Sequence, residues 1–305
     1  MVQPPHAAQK LRTWFRLRED FVCGSSTDAV VKVRLFRAAD RHYILAVLAP
    51  ARTVRHAHRG SQEGISNFGK GSQKMPAERP IILTGAASGI GRAAAEQLAA
   101  KSRVLALVDV QADGLRQVVA TCQRHSPRTR GFGCDVADQS AVERIHENIR
   151  DELGAAGILI NCAGIGRFAP FLEIETAEWE RMFRVNVMGT VFFTRAVLPG
   201  MLAAGEGLII NVSSRMAIDP HPNTTAYAAS KAAILAFSKA LAMEVKDRGI
   251  KVTLLAPGGA KTNIATPKHE GYLEAGAIAD AIVYITENTA KNAWVRDLTI
   301  LPLGF

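Results

Sequence analysis

Short apolar runs recur along most of the chain, and segments of helical composition separate them. The runs are "RPIILTG", "RVLALVDV", "GFGCDV", "GILINCAG", "GLIINVSS", "IKVTLLAPG" and "DLTILPLG", and between them lie segments such as "GRAAAEQLAAKS", "SAVERIHENIRDEL" and "AILAFSKALAMEV". Runs rich in Val, Ile and Leu predict strands buried on both faces, and helix-length segments between them predict crossovers. The expected architecture is α/β: a doubly wound, mostly parallel sheet of the Rossmann type, with about seven strands and helices on both faces. Ligands of such sheets bind beyond the carboxyl ends of the strands, so the residues just after each run are the ones to inspect.

This pattern begins only near Met75. Upstream, "LRTWFRLRED" is Arg-rich, "YILAVLAP" is a short apolar stretch, and "ARTVRHAHRGSQEGISNFGKGSQK" has neither helical nor strand periodicity and resembles a linker. The expected organisation is a basic, poorly structured extension over residues 1–74 and a single Rossmann-fold catalytic domain over residues 75–305. Charge follows the same division. The net +9 is concentrated at the start, where residues 1–74 hold 13 Lys and Arg against 5 acids, while residues 75–305 hold 24 against 23. A nearly neutral domain gives no reason to expect a nucleic-acid partner. The basic segment has three readings: an arm for nucleic acid or an acidic surface, an Arg-rich targeting segment with too many acids to be typical, or an over-extended reading frame whose true start is Met75. The third is favoured because Met75 is the only methionine between Met1 and Met182 and stands just before the first apolar run.

With 48% hydrophobic residues the chain has material for a sizeable core. No run approaches the roughly 18 consecutive apolar residues of a membrane span, and no signal-peptide pattern opens the chain. Cys23, Cys122, Cys134 and Cys162 lack CxxC spacing, which predicts no metal site and no disulfide framework. The expectation is a cytoplasmic protein with reduced thiols and no membrane association.

Candidate chemistry starts after the first run, at "TGAASGIG", Thr84 to Gly91. Gly85, Gly89 and Gly91, with Ser88 and Ile90 between them, would turn the chain tightly and open a helix whose free N–H groups face an anion such as a pyrophosphate. The same residues could also be an ordinary Gly-rich turn. Asp109, which closes the second run 24 residues after Gly85, is placed to hydrogen-bond an adenosine ribose. Its carboxylate would repel a 2′-phosphate, and neither Val110 nor Ser88 supplies a positive charge, so NAD is favoured over NADP. Asp135 and Val136, after the third run, read equally as a helix N-cap region or an adenine contact.

These segments, with those that follow, resemble the short-chain dehydrogenase/reductase family from about Pro80 to the end of the chain. The family's TGxxxGxG loop is complete in Thr84 to Gly91, and its NNAG segment appears as "NCAG", Asn161 to Gly164, with Cys162 in place of the second Asn and Ala163 and Gly164 retained. Its helix asparagine matches Asn186, its serine Ser214, its YxxxK pair Tyr227 and Lys231, and its PGxxxT segment Pro257, Gly258 and Thr262. The resemblance implies a catalytic set of Asn186, Ser214, Tyr227 and Lys231, with Asn161, Tyr227 and Lys231 also serving the cofactor. It also implies a homo-oligomer, tetramer or dimer, joined through helices and the C-terminal strand. A free tyrosine has a pKa of about 10. Lys231, one helical turn on, and a positively charged nicotinamide would together depress it, so that Tyr227 could take an alcohol proton while hydride leaves the carbon.

The expected activity is therefore NAD(P)-dependent interconversion of a secondary alcohol and a ketone on a small-molecule substrate. Alternatives are an NADP-dependent 3-oxoacyl or secondary-metabolite ketoreductase, and a sensor that binds dinucleotide without turnover. The pocket should draw on "IGRFAPF", "RMAIDPHPNT" and "NIATPKHEGYLEAG", where Arg167, Arg215 and His221 either hold a polar or anionic group or face solvent. The last of these segments is short for a lid, which points to an open or small site. Intact mass of the protein from its native source tests the start site: a chain beginning at Met75 is expected, and the presence of residues 1–74 refutes it.

Overall fold

The computed structural model describes residues 21–23, 29–38 and 41–50 as backbone, and residues 79–264, 270–288 and 294–302 with their side chains. The chain divides into two compact units, Met1–Arg59 and Gly60–Phe305. In the first, strands β1 (Phe21–Cys23), β2 (Ala29–Ala38) and β3 (Arg41–Pro50) pair antiparallel in succession, with Phe21 opposite Val33 and Ala29 opposite Pro50. These strands lie within the segment expected to be poorly structured. Their sequence signal is the alternation of Val31, Val33 and Leu35 with Lys32 and Arg34, a period-two pattern easily overlooked in so Arg-rich a stretch. The linker-like stretch and the expected boundary at Met75 lie outside the described residues.

The second unit is built on seven parallel strands. They are β4 (Ile81–Thr84), β5 (Leu105–Asp109), β6 (Arg130–Gly133), β7 (Ile158–Asn161), β8 (Gly207–Val212), β9 (Ile250–Pro257) and β10 (Asp297–Leu301), in spatial order β6–β5–β4–β7–β8–β9–β10. Every residue of β4, β7 and β8 is buried, as continuous apolar runs demand of strands covered on both faces. The crossovers include α1 (Gly89–Ala99), α2 (Ala112–Gln123), α3 (Gln139–Leu153), α4 (Thr176–Met182), α5 (Gly189–Ala204), α6 (Thr225–Val245) and α7 (Ala275–Glu287). All seven apolar runs are strands, and the doubly wound α/β expectation holds.

Alternate strand residues serve opposite layers. Ile82, Leu159, Ile209 and Val252 share a core with Val142 and Ile149 of α3, Phe192, Phe193 and Val197 of α5, and Leu241 and Val245 of α6. Their strand neighbours Ile81, Leu83, Ile158 and Ile160 are equally buried on the face covered by α1 and α7, where Leu98, Ile278 and Ile282 are inaccessible. The helical stretch Thr176–Ala204 is long and apolar enough to cross a membrane by length and composition alone. Here its apolar residues Phe192, Phe193, Val197 and Met201 are core.

Strands β4, β5 and β6 step outward to one side, and β7 then returns to the other side of β4. The loops after β4 and β7 diverge at this reversal, which is where doubly wound sheets bind ligands. One hydroxyl joins the two loops: Thr84 Oγ1 accepts from the backbone N–H of Cys162 and of Ala163, both at 3.1 Å. Thr84→Val keeps the shape and leaves two N–H groups unpaired. A loss of about 1–3 kcal/mol is expected, read as a lower urea midpoint at unchanged m-value; an unchanged midpoint refutes the role.

Candidate active site

The loop after β4 is shaped by steric exclusion. Gly85 has φ +71°, and a Cβ there would stand 2.7 Å from Ala163 Cα; a Cβ on Gly91 would stand 2.0 Å from Gly85 O. A side chain at Gly85 would push apart the loops that Thr84 holds together, and one at Gly91 would force open the turn from Gly85 into α1. The first turn of α1 has no side-chain cap and no acidic residue, so its N–H groups face outward with the dipole unopposed. They open onto a groove of about 630 Å³ lined by Gly85, Ser88, Gly89, Ile90, Gly91, Asp109, Asp135, Val136, Ala163, Gly164 and Thr262. The sequence reading thus assembles on one surface.

The Asp109 carboxylate is held at that surface by two backbone donors: Ala87 N–H to Oδ2 and Gln111 N–H to Oδ1, each at 2.9 Å. Each oxygen retains a lone pair toward the groove. Asp135 and Val136 line the groove but do not cap α3. Asp135 accepts from Ala137 N–H at 2.9 Å and lines the groove, whereas the N-cap of α3 is Asp138, accepting from Ala141 N–H at 3.1 Å.

A second cavity, of about 510 Å³, adjoins the groove and shares Ile90, Cys162, Gly164, Thr262 and Ile264 with it. Ser214, Tyr227, Lys231, Pro257 and Gly258 line it. The two serines ending β8 divide their work. Ser213 is turned inward, its hydroxyl donating to Lys231 O at 2.8 Å, whereas Ser214 Oγ accepts from Met216 N–H at 3.1 Å and lines the cavity with Tyr227. Lys231 Nζ donates to Val212 O at 3.0 Å and stands 5.8 Å from the Tyr227 ring centroid. A Cβ on Gly164 would come within 3.4 Å of that ammonium.

Asn186 lies behind this wall and lines neither cavity. A π-helical turn, Phe183–Met188, connects α4 to α5 and carries Asn186 fully buried. Its Oδ1 accepts from Ile165 N–H at 2.8 Å, and its Nδ2 donates to Ile165 O at 3.0 Å and Ser230 Oγ at 2.9 Å. Single π-turns of this kind recur at functional sites. Asn161 also lies away from both cavities. Its Nδ2 donates to Asn211 Oδ1 at 2.8 Å and Thr194 Oγ1 at 3.3 Å, tying three elements together behind the site. Its Oδ1 is buried and holds no hydrogen bond among the described residues.

Burial drives the pKa values of Tyr227 and Lys231 in opposite directions. The Tyr227 phenol is pushed up to about 12, chiefly by burial, with the Ser214 side chain opposing. Burial lowers Lys231 to about 8, the nearby Cys162 thiol opposing. The expected depression of the phenol calls for a nicotinamide together with Lys231; among the protein's own groups the largest effect is burial, which raises it. Cys162 itself is pushed up to about 12 by burial, which makes it a poor nucleophile.

Sequence reasoning did not single out Ser230, Tyr272, or Arg181 and Arg184 in the groove wall, since each acts through neighbours distant in sequence. Arg167 faces away and pairs with Glu178 at 3.3 Å, whereas Arg215 and His221 line the cavity. Of the short lid segment, residues 265–269 lie outside the described residues.

Residues 79–273 match the short chain dehydrogenase family. D-threitol dehydrogenase of Mycolicibacterium smegmatis is 37% identical over 193 residues, 62% of this chain and 73% of that protein. Among solved structures, the 3-ketoacyl-(acyl-carrier-protein) reductase from Brucella melitensis complexed with NADH has a TM-score of 0.69 at 26% identity, covering 73% of this chain and 96% of that one. The alcohol dehydrogenase from Thermococcus sibiricus complexed with 5-hydroxy-NADP has a TM-score of 0.68 at 26% identity, covering 72% and 95%. Since the family match spans the loop after β4, the switch point and the Tyr227–Lys231 helix together, the chain belongs to the short-chain dehydrogenase family and is an oxidoreductase.

Proposed function

We propose that the protein interconverts a secondary alcohol and a ketone with NAD, Tyr227 serving as the general acid and base. The observation that carries this reading is the convergence of the Ser214 hydroxyl, the Tyr227 phenol and the Lys231 ammonium on one cavity that adjoins the Gly-lined groove. The groove suits a dinucleotide: a pyrophosphate would face the uncapped N-terminus of α1, a ribose would face Asp109, and Thr262 stands where the two cavities meet. Bound nicotinamide supplies the hydride acceptor and a fixed positive charge. Tyr227 needs such a charge, since burial alone holds its proton too tightly for a base. Ser214 would hold the substrate oxygen beside the phenol. Lys231 would hold the nicotinamide ribose and support the phenolate, and Asn186 would keep the loop after β7 in place through both hydrogen bonds to Ile165.

NAD is preferred over NADP because the Asp109 carboxylate, fixed by two N–H groups at the groove wall, would meet a 2′-phosphate with like charge. The adjacent Val110 is largely exposed and brings no cation to relieve it. The NADP-bound relative is similar to this chain but does not alter this electrostatic reason.

Tyr227→Phe is expected to lower kcat by about two to four orders of magnitude while NADH binding, followed by fluorescence, is retained; normal turnover removes Tyr227 from the mechanism. Asp109→Ser combined with Val110→Arg is expected to move the kcat/KM ratio toward NADP. An unchanged ratio in that double variant rules out Asp109 as the discriminating group.

A further inference from the structure

We propose that Arg215 selects substrates bearing a carboxylate, so that the enzyme acts on a hydroxy acid or its oxo acid rather than on a neutral alcohol. The inference rests on the reading of Ser214 and Tyr227 as the reacting wall.

Charge in the substrate cavity is one-sided. Among the described residues its lining includes Arg215 and Lys231 and no Asp or Glu. Lys231 is committed at the back of the wall, donating to Val212 O at 3.0 Å beneath the tyrosine ring. Arg215 is the cation left to meet substrate. It follows Ser214 directly, with Cα atoms about 3.8 Å apart, and 22% of its side chain is exposed. An anion bound to it would lie a few bonds from the oxygen held by Ser214.

The guanidinium is oriented but not used up. Its Nη2 donates to Asp219 Oδ2 at 2.8 Å and lies 3.3 Å from His221 Nε2, which must accept because arginine only donates. Nε and Nη1 hold no hydrogen bond among the described residues. Asp219 is not part of the cavity lining and its side chain is 64% exposed, so solvent screens its pull on the guanidinium. Charge-assisted bonds from the remaining N–H groups to a carboxylate are about twice as strong as neutral ones. Phe168, Met216, Ile264 and Tyr272 complete the cavity with apolar surface, which suits a hydrocarbon body between the two polar ends.

The test compares 3-hydroxybutanoate with 2-butanol as substrates for the full-length protein with NAD. A kcat/KM advantage of about ten- to a hundredfold for the acid is expected, the range of one charge-assisted hydrogen bond. Arg215→Leu should remove most of that advantage through KM, Arg215→Lys should restore part, and Arg167→Leu should leave it intact. Calorimetric titration with butanoate supplies a readout that needs no turnover, and Arg215→Leu should weaken that binding. Arg215-dependent butanoate binding without oxidation of either alcohol would sustain the anion site and defeat the Tyr227 reading. Equal kcat/KM for the two alcohols, an advantage that survives Arg215→Leu, or absence of butanoate binding overturns the proposal.

Discussion

A lysine ammonium kept almost entirely from water is the constraint around which this site is organised. Lys231 is 3% exposed, and its ammonium has the Val212 carbonyl as its hydrogen-bond partner in the protein. A buried cation is costly unless paired, and the cost appears as a pKa lowered to about 8. Since that value lies below the unfolded one, the penalty is complete below pH 8 and fades as the pH rises toward 10.5; it amounts to about 3 kcal/mol at most. The apolar layers on both faces of the sheet offset it. The same desolvation raises Tyr227, so both partners are driven toward neutrality. Charge at the phenol oxygen would therefore depend on what binds beside the pair. Such a site spends stability on a poised state, in keeping with the usual tension between stability and activity.

Holding that pair in place takes contacts from several elements. Ser213 bonds the Lys231 carbonyl and Val212 receives the ammonium, so the end of β8 grips α6 at two points on one residue. Ser230, on the same helix, accepts from Asn186 and donates to Tyr227 O. Asn186 in turn fixes Ile165 by both N–H and carbonyl. The loop after β7 is thus tied to α6 through the π-turn and to β4 through Thr84. Groove and cavity share walls because one loop belongs to both networks.

The sequence displays those parts of this arrangement that rest on local rules. Strands buried on both faces are written as unbroken apolar runs, so β4 to β10 are legible. Tyr227 and Lys231 are legible because the helical period sets their spacing, whereas Ser214 is chosen over Ser213 only through the family resemblance. Asn161 illustrates the opposite case. Its segment marks it for the cofactor, but its amide is occupied by Thr194 and Asn211, 33 and 50 residues away, and no local pattern encodes that meeting. The π-turn under Asn186 is hidden for a similar reason: "FRVNVM" has an ordinary helical composition, and the wider turn is stabilised by partners on α6 and in the loop after β7.

On the proposed reading, reaction and selectivity are built from different materials. Ser214, Tyr227 and Lys231 stand at a strand end and on a long helix, where packing leaves little freedom. Arg215, Met216 and His221 stand on the connection between β8 and α6, where Arg215–Ala217 form a 3-10 turn and Met216 packs against Ala226 and Tyr227. Arg215 occupies the one position where the two meet, adjoining the serine in sequence and facing the cavity in space. A charge placed there would discriminate between substrates over a short, nearly fixed distance, whereas a charge farther along the loop would discriminate only as well as the loop is ordered. The pairing with Asp219 has its significance in that geometry. It contributes little stability as an exposed ion pair, but by restricting a flexible side chain to one orientation it would lower the entropy lost if the proposed anion bound.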